Sequence, residues 1–394
     1  MARKKPTSLK PDTRLVTAGR DPDEQFGFVN PPVYHASTVL YPTAEDQVAH
    51  RARYVYGRRG TPTSEALENA LRELEGPGCA GVALLPSGLA AIATALMSVT
   101  ASGDHILVSD SAYRPTRTYC NGILKRFGVE TTYYDPLAAK DIAKLFKPNT
   151  RVVFVEAPGS QSFEMQDIPA IAQVAHDKGA VVLMDNTWAT PLYFDAFAKG
   201  VDLSIQAGTK YIGGHSDIMF GTVSANAATL GKLKDTAGNS GLCAGPDDIY
   251  LALRGLRTLS VRLARHYESA LTIAKWFEAR PEVARVLHPA LPSDPGHAIW
   301  QRDFTGASGL FSIVLKPMSD QAVYAFMNEL ALFGMGFSWG GYESLVILFD
   351  CAEYRTATPW APGGHTLRFH IGLEDTGDLI ADLERGFAAM KRTN

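Results

Sequence analysis

From Thr63 onward the apolar residues follow two alternating periods, and the alternation predicts the architecture. Leu67, Leu71 and Leu74 fall on one helical face, with Thr63 or Ser64 as the N-cap and Gly76 as the stop. Gly81-Val82-Ala83-Leu84-Leu85 then reads as a strand and residues 89–99 as a helix. Further strands are expected at 105–108, 151–155, 181–184 and 203–205, and a helix at 168–178 with Pro169 in its first turn. The strands are continuous apolar runs rather than alternating ones. That pattern belongs to a mostly parallel sheet covered by helices on both faces, an α/β fold.

After Arg257 the rhythm changes. Helical stretches at 258–278 and 319–332 flank strands near 309–315 and 344–349, followed by a strand over 365–371 and a closing helix from Asp378. This irregular order predicts a smaller α+β domain. Residues 1–62 carry little periodicity but many prolines, aromatics and arginines, among them Tyr34, Tyr41, Tyr54, Tyr56, Arg58 and Arg59. Such a segment cannot bury a core alone and is expected to lie as an arm on another surface. The expected division is an arm over 1–62, an α/β domain over 63–257 and an α+β domain over 258–394.

Composition narrows the function class. A 394-residue chain with 46% hydrophobic and 20% charged residues has the balance of an ordinary globular enzyme with a large core. The formal net charge of −3 leaves no basic footprint for nucleic acid. Cys79, Cys120, Cys243 and Cys351 lie far apart, which argues against a disulfide framework or a zinc knuckle. No apolar run is long enough to span a membrane, and no apolar stretch follows the basic first fifteen residues. A cytoplasmic protein without membrane, nucleic-acid or metal partners is expected.

Four features fall at strand ends, where open α/β sheets place their ligands. Pro86-Ser87-Gly88-Leu89 turns from strand into helix, and its free N–H groups suit a phosphate; taken alone it reads more readily as a plain tight turn. Asp185 either caps a turn or holds a proton on a heterocyclic nitrogen. Lys210, after Thr209 and before a glycine pair, is either an exposed loop lysine or a desolvated amine able to form a Schiff base. Tyr113 is either a loop tyrosine or a ring that stacks on a flat cofactor and takes part in proton transfer. Phosphate turn, pyridinium partner and Schiff-base lysine together are what pyridoxal phosphate requires.

The stretch from Asp202 to Ser216 resembles the lysine-site motif of the Cys/Met-metabolism family of pyridoxal-phosphate enzymes. The resemblance continues through Tyr54-Val55-Tyr56-Gly57-Arg58, Pro86-Ser87-Gly88, Asp185-Asn186-Thr187, the segment Ser338 to Leu345, and Arg368 to Asp375. It spans nearly the whole chain, with every block in order. It implies a fold-type-I transferase architecture, and it identifies Glu156-Ala157-Pro158-Gly159-Ser160 and Ser338-Trp339-Gly340-Gly341 as similar to the β-eliminating branch. Relatives of γ-type usually carry asparagine at the position of Ser160, and methionine γ-lyases a cysteine where Arg114 follows Tyr113. Ala207 stands where many relatives have a phosphate-binding serine, so Thr209 and the glycine turn are expected to carry more of the phosphate.

The resemblance also implies roles. Lys210 would hold pyridoxal 5'-phosphate covalently and move the Cα proton. Asp185 would face the ring nitrogen, and Tyr113 would stack on the ring. Gly88, Leu89 and Thr209 would bind the phosphate together with Tyr56 and Arg58 of a neighbouring subunit. Arg368 would clamp the substrate carboxylate beside Ser338. Trp339 would line the same pocket or anchor the domain interface. The reaction implied is β-elimination of cystathionine to homocysteine, pyruvate and ammonia, in a homotetramer built from active-site-sharing dimers. Chemistry at Cγ, another cysteine S-conjugate such as cystine as substrate, and, more distantly, aminotransfer remain the alternatives.

Overall fold

The computed structural model describes residues 9–393. Its first part runs α1 (Pro11–Thr17), α2 (Ala44–Val48), α3 (Pro62–Glu75), β1 (Gly81–Leu85), α4 (Gly88–Val99), β2 (His105–Ser109), α5 (Arg114–Tyr119), β3 (Glu130–Tyr134), β4 (Thr150–Glu156), α6 (Ile168–Asp177), β5 (Val181–Asp185), α7 (Thr190–Tyr193), β6 (Leu203–Gln206), β7 (Gly221–Ala225), α8 (Leu230–Asn239) and α9 (Pro246–Leu256). The long α10 (Leu259–Glu278) leads into β8 (Val283–Leu287), α11 (His297–Asp303), β9 (Leu310–Leu315), α12 (Asp320–Glu329), β10 (Gly334–Met335), β11 (Leu345–Phe349), β12 (Thr366–His370) and α13 (Thr376–Thr393). No helix among the described residues is long and apolar enough to cross a membrane.

The first seven strands form one sheet in the order β1-β7-β6-β5-β4-β2-β3. β7 runs antiparallel to both its neighbours, and every other pair is parallel. Its central strands are buried on both faces because successive side chains point to opposite sides. Ile106, Val108, Val152 and Phe154 pack on Ala91, Ile92, Ala95 and Leu96 of α4. Leu107, Val153 and Val155 face the other way, into a core shared with α6 and with Leu287, Phe304, Leu310 and Val314. The second sheet, in the order β10-β11-β12-β9-β8, is therefore joined to the first by continuous apolar packing.

Several local expectations need correction. The N-cap of α3 is Thr61, not Thr63 or Ser64. Pro62 occupies the first helical position, and Thr61 and Ser64 cap each other reciprocally. Strands β3, β7, β8 and the two-residue β10 were not expected. β7 (Gly221-Thr222-Val223-Ser224-Ala225) is wholly buried although it contains one large apolar residue, so its sequence carries little strand signal. The arm does not rest wholly on other surfaces either. Leu15 and Ala18 are buried among Leu67, Leu71, Leu253 and Leu256, and Arg257 Nη1 donates to both their carbonyls at 2.7 Å. Farther along the arm Phe26 and Leu40 are 97% and 86% exposed, so this chain alone does not cover them. The first eight arm residues lie outside the described residues.

One buried charge cluster fastens the C-terminal segment 351–358 onto the end of β2. Asp110 is fully buried and accepts from Arg117 Nη1 at 2.8 Å, Arg355 Nε at 3.2 Å and the N–H groups of Thr356, Ala357 and Thr358. Arg355 reaches on to Glu164 at 2.7 Å. Removing one member of such a cluster strands buried charge and costs about 3–5 kcal/mol. Asp110→Ala is therefore expected to lower stability by about that amount in denaturant unfolding; a loss under about 1 kcal/mol, the scale of an exposed ion pair, would contradict it.

Candidate active site

The C-terminal ends of β4, β5 and β6 and the N-terminus of α4 converge on one cleft. β6 ends at Gln206, and the chain then folds back on itself. Lys210 N–H donates to Ala207 O at 2.9 Å, and Gly214 N–H to Lys210 O at 2.8 Å. Thr209 closes this turn: its hydroxyl donates to Phe220 O at 3.0 Å and accepts the Phe220 N–H at 2.9 Å. Gly88 lies directly against the turn, since a Cβ there would stand 2.7 Å from Ala207 Cβ. The small pair Gly88 and Ala207 lets the start of α4 approach Lys210. Ser87 caps α4 by accepting from Ala90 N–H at 3.1 Å, and the N–H groups of Gly88 and Leu89 belong to the first turn, which has no intrahelical acceptors.

Lys210 is not an open loop lysine, and it has no ion-pair partner among the described residues. Its Nζ donates to Ser338 Oγ at 2.5 Å and lies 5.4 Å from the centre of the Trp339 ring. Burial, helped by the Arg368 charge and opposed by Asp185, pulls its pKa from 10.5 down to about 8. Ser338 reaches this position with φ of +87°, a left-handed backbone that serine seldom adopts. Its carbonyl accepts from Arg368 Nη2 at 3.0 Å. Burial lowers Arg368 to about 10, which leaves it charged at neutral pH.

Asp185 ends β5. Its Oδ1 accepts both the N–H and the hydroxyl of Thr187, and its Oδ2 accepts no hydrogen bond among the described residues. Burial raises its pKa, against the Thr187 bonds and the Lys210 charge. Glu156 is its register neighbour on β4 and accepts the Tyr113 N–H at 2.8 Å. Burial and then the Asp185 charge push Glu156 well above the usual carboxylate range. Tyr113 stands at the mouth of the cleft. Burial and the charges of Asp185 and Glu156 raise its pKa, with Arg368 opposing.

The structure thus brings together Lys210, Asp185, Tyr113, Ser338, Trp339, Arg368, Gly88 and Leu89. The Trp339 ring lies 5.4 Å from Lys210 Nζ and packs 5.5 Å from Tyr211, between two core clusters. Tyr56 and Arg58 stand apart within one chain. They line a separate cavity of about 750 Å³ with Lys234 and Gly238, and Arg58 Nη1 donates to Gly238 O at 2.5 Å. Glu156 was not among the expected site residues, although a carboxylate ending a buried strand beside Asp185 is the same signal that marked Asp185. Glu343 was missed as well. Its two carboxylate oxygens, at 2.6 and 2.8 Å, share the one Ser216 hydroxyl proton, tying the lysine turn to the Ser338 loop; only the folded chain brings these residues together.

Residues 12–388 match the family described as Cys/Met metabolism PLP-dependent enzyme. The chain belongs to this family. It is 56% identical to a putative cystathionine beta-lyase of Rhizobium johnstonii, over 96% of each chain. It is 46% identical to a cystathionine beta-lyase of Salmonella typhimurium, covering 97% of this chain and 99% of that one. The crystal structure of metB from Corynebacterium glutamicum superposes with a TM-score of 0.90 at 30% identity, over 98% of this chain and 99% of that one. The fold is therefore that of the fold-type-I PLP-dependent enzymes, as the sequence blocks imply.

The cleft suits the family's cofactor. A protonated ring nitrogen is the partner that Asp185 Oδ2 lacks, and a free amine near neutral pH is what an aldehyde requires. The Lys210 pKa can be read directly. In cofactor-free protein, acylation of Lys210 followed by peptide mapping is expected to show a midpoint near pH 8; a midpoint above pH 10, that of an ordinary lysine, would contradict the burial of its amine.

Proposed function

We propose that this enzyme catalyses β-elimination of L-cystathionine, releasing homocysteine, pyruvate and ammonia. The observation that carries this reading is a desolvated Lys210 amine held between the Asp185 carboxylate and the Ser338–Trp339 loop, with Arg368 beside it. Similarity to cystathionine beta-lyases over nearly the whole chain supports the choice of substrate.

Bound pyridoxal phosphate supplies an aldehyde for amines and an electron sink for charge released at Cα. Lys210 Nζ would hold the aldehyde carbon, and Asp185 Oδ2 would accept the ring N–H. The N–H groups of Gly88 and Leu89, at the positive end of α4, would take the phosphate. Tyr113 would lie on the ring face. The remaining Arg368 donors would hold the substrate α-carboxylate through paired hydrogen bonds, while Nη2 keeps Ser338 in place. Lys210 Nζ, freed by the substrate amine, would remove the Cα proton and deliver a proton to the departing sulfur. The Cα–H and Cβ–S bonds break, the thiol leaves as homocysteine, and the remaining enamine hydrolyses to pyruvate and ammonia. A lysine amine shifted from the ordinary value toward neutral pH is better matched to both taking and giving a proton.

A shared site accounts for the arm. The exposed Phe26, Phe28 and Leu40 need a partner surface, and Tyr56 and Arg58 of a second copy would complete the phosphate site across that contact. We read the assembly as a homotetramer of such dimers. Arg58→Ala is then expected to weaken cofactor retention at least tenfold in dialysis, and unchanged retention would count against a shared site.

Product analysis tests the reaction. Purified enzyme given cystathionine and no keto acid should yield homocysteine and pyruvate in equal amounts. Cysteine with 2-oxobutyrate would instead mean cleavage at Cγ, and dependence on a keto acid would mean aminotransfer.

A further inference from the structure

Alternate residues of β12 face the loop that carries Ser338 and Trp339. Arg368 and His370 lie two apart on one face of the strand, and their partners Ser338 and Gly340 lie two apart in the loop. Arg368 Nη2 donates to Ser338 O at 3.0 Å. His370 Nε2 is 3.1 Å from Gly340 N and 3.1 Å from Gly341 O. Gly340 N–H can only donate and Gly341 O can only accept, so Nε2 has a loop partner in either neutral tautomer. His370 Nδ1 has none among the described residues.

Gly340 is where the loop meets the lysine. It has a φ of +87°, and a Cβ there would lie 3.0 Å from Lys210 C, Cα and Cβ. The depth at which Gly340 rests on the Lys210 backbone sets where Ser338 Oγ and the Trp339 ring stand relative to Nζ. Glu343 fastens the far side of the loop through Ser216, so the near side depends on β12.

We propose that His370 is a positioning residue: through Nε2 it seats Gly340 on the backbone of Lys210 and so fixes Ser338 and Trp339 over the lysine amine. Burial holds the imidazole neutral, with the charges of Arg368 and Lys210 adding to the effect. His370 also packs 5.2 Å from the His266 ring and 6.0 Å from Tyr211, so the test must separate packing from positioning. The value of this placement for turnover rests on the reaction proposed above; the placement itself does not.

Two amide substitutions make the separation. His370→Gln puts a polar atom near the Nε2 position, whereas the shorter His370→Asn reaches only as far as Nδ1. In cofactor-free protein, hydrogen exchange over residues 338–342 should be roughly three- to tenfold faster in His370→Asn, the size of one lost hydrogen bond, and close to wild type in His370→Gln. The Lys210 acylation midpoint should move in the same variant and return in the other. In the holoenzyme, His370→Asn should raise KM more than it lowers kcat. Equal behaviour of the two variants, whether both normal or both impaired, would overturn the positioning role. Absence of cystathionine cleavage by wild-type enzyme would instead refute the reaction and leave the exchange and acylation results to decide on His370.

Discussion

Keeping a lysine amine out of bulk water is the constraint on which the cleft depends. A buried ammonium is costly unless it is paired or gives up its proton, and Lys210 is prepared for the second course. Its pKa falls because protein surrounds the amine and Arg368 sits nearby, while Asp185 opposes the shift without forming an ion pair. Each neighbouring feature protects that balance. The small residues Gly88 and Ala207 bring α4 close, and Gly340 brings the Ser338 loop close. Thr209 locks the turn by holding both backbone groups of Phe220.

These contacts come from parts of the chain far apart in sequence, so the two sheets must be held in register. The shared apolar core does this in bulk. The Asp110 cluster does it at one point, three residues before Tyr113, by satisfying a buried carboxylate with groups from residues 355–358. Within the second sheet β12 holds the loop itself, with Arg368 and His370 gripping alternate loop residues. The reactive groups come from the first sheet, and the loop over them is carried by the second.

Much of this was legible in the sequence. Apolar runs such as 152–155 and 181–184 mark buried strands because they alternate with helical periods and are too short for helices. Asp185 ends one such run and Lys210 follows β6 by four residues, and those positions singled them out as candidates. β7 was hidden because small residues fill a strand buried on both faces. The arm helix α1 was hidden because only Leu15 and Ala18 enter the core. Glu343, His370 and the Asp110 cluster could not be found from spacing. Their partners lie far away in the chain, and hydrogen-bond complementarity between distant segments leaves no period to detect. The bonds between the Thr209 hydroxyl and Phe220 are likewise visible only in the folded turn.

The central claim is that one desolvated amine anchors the cofactor. Reduction of the holoenzyme with borohydride, followed by proteolysis and mass spectrometry, tests it most directly. The account predicts a pyridoxyl adduct on the peptide containing Lys210, in near-stoichiometric amount, with loss of activity in parallel. An adduct on another lysine, or an enzyme that keeps its activity after reduction, would contradict it.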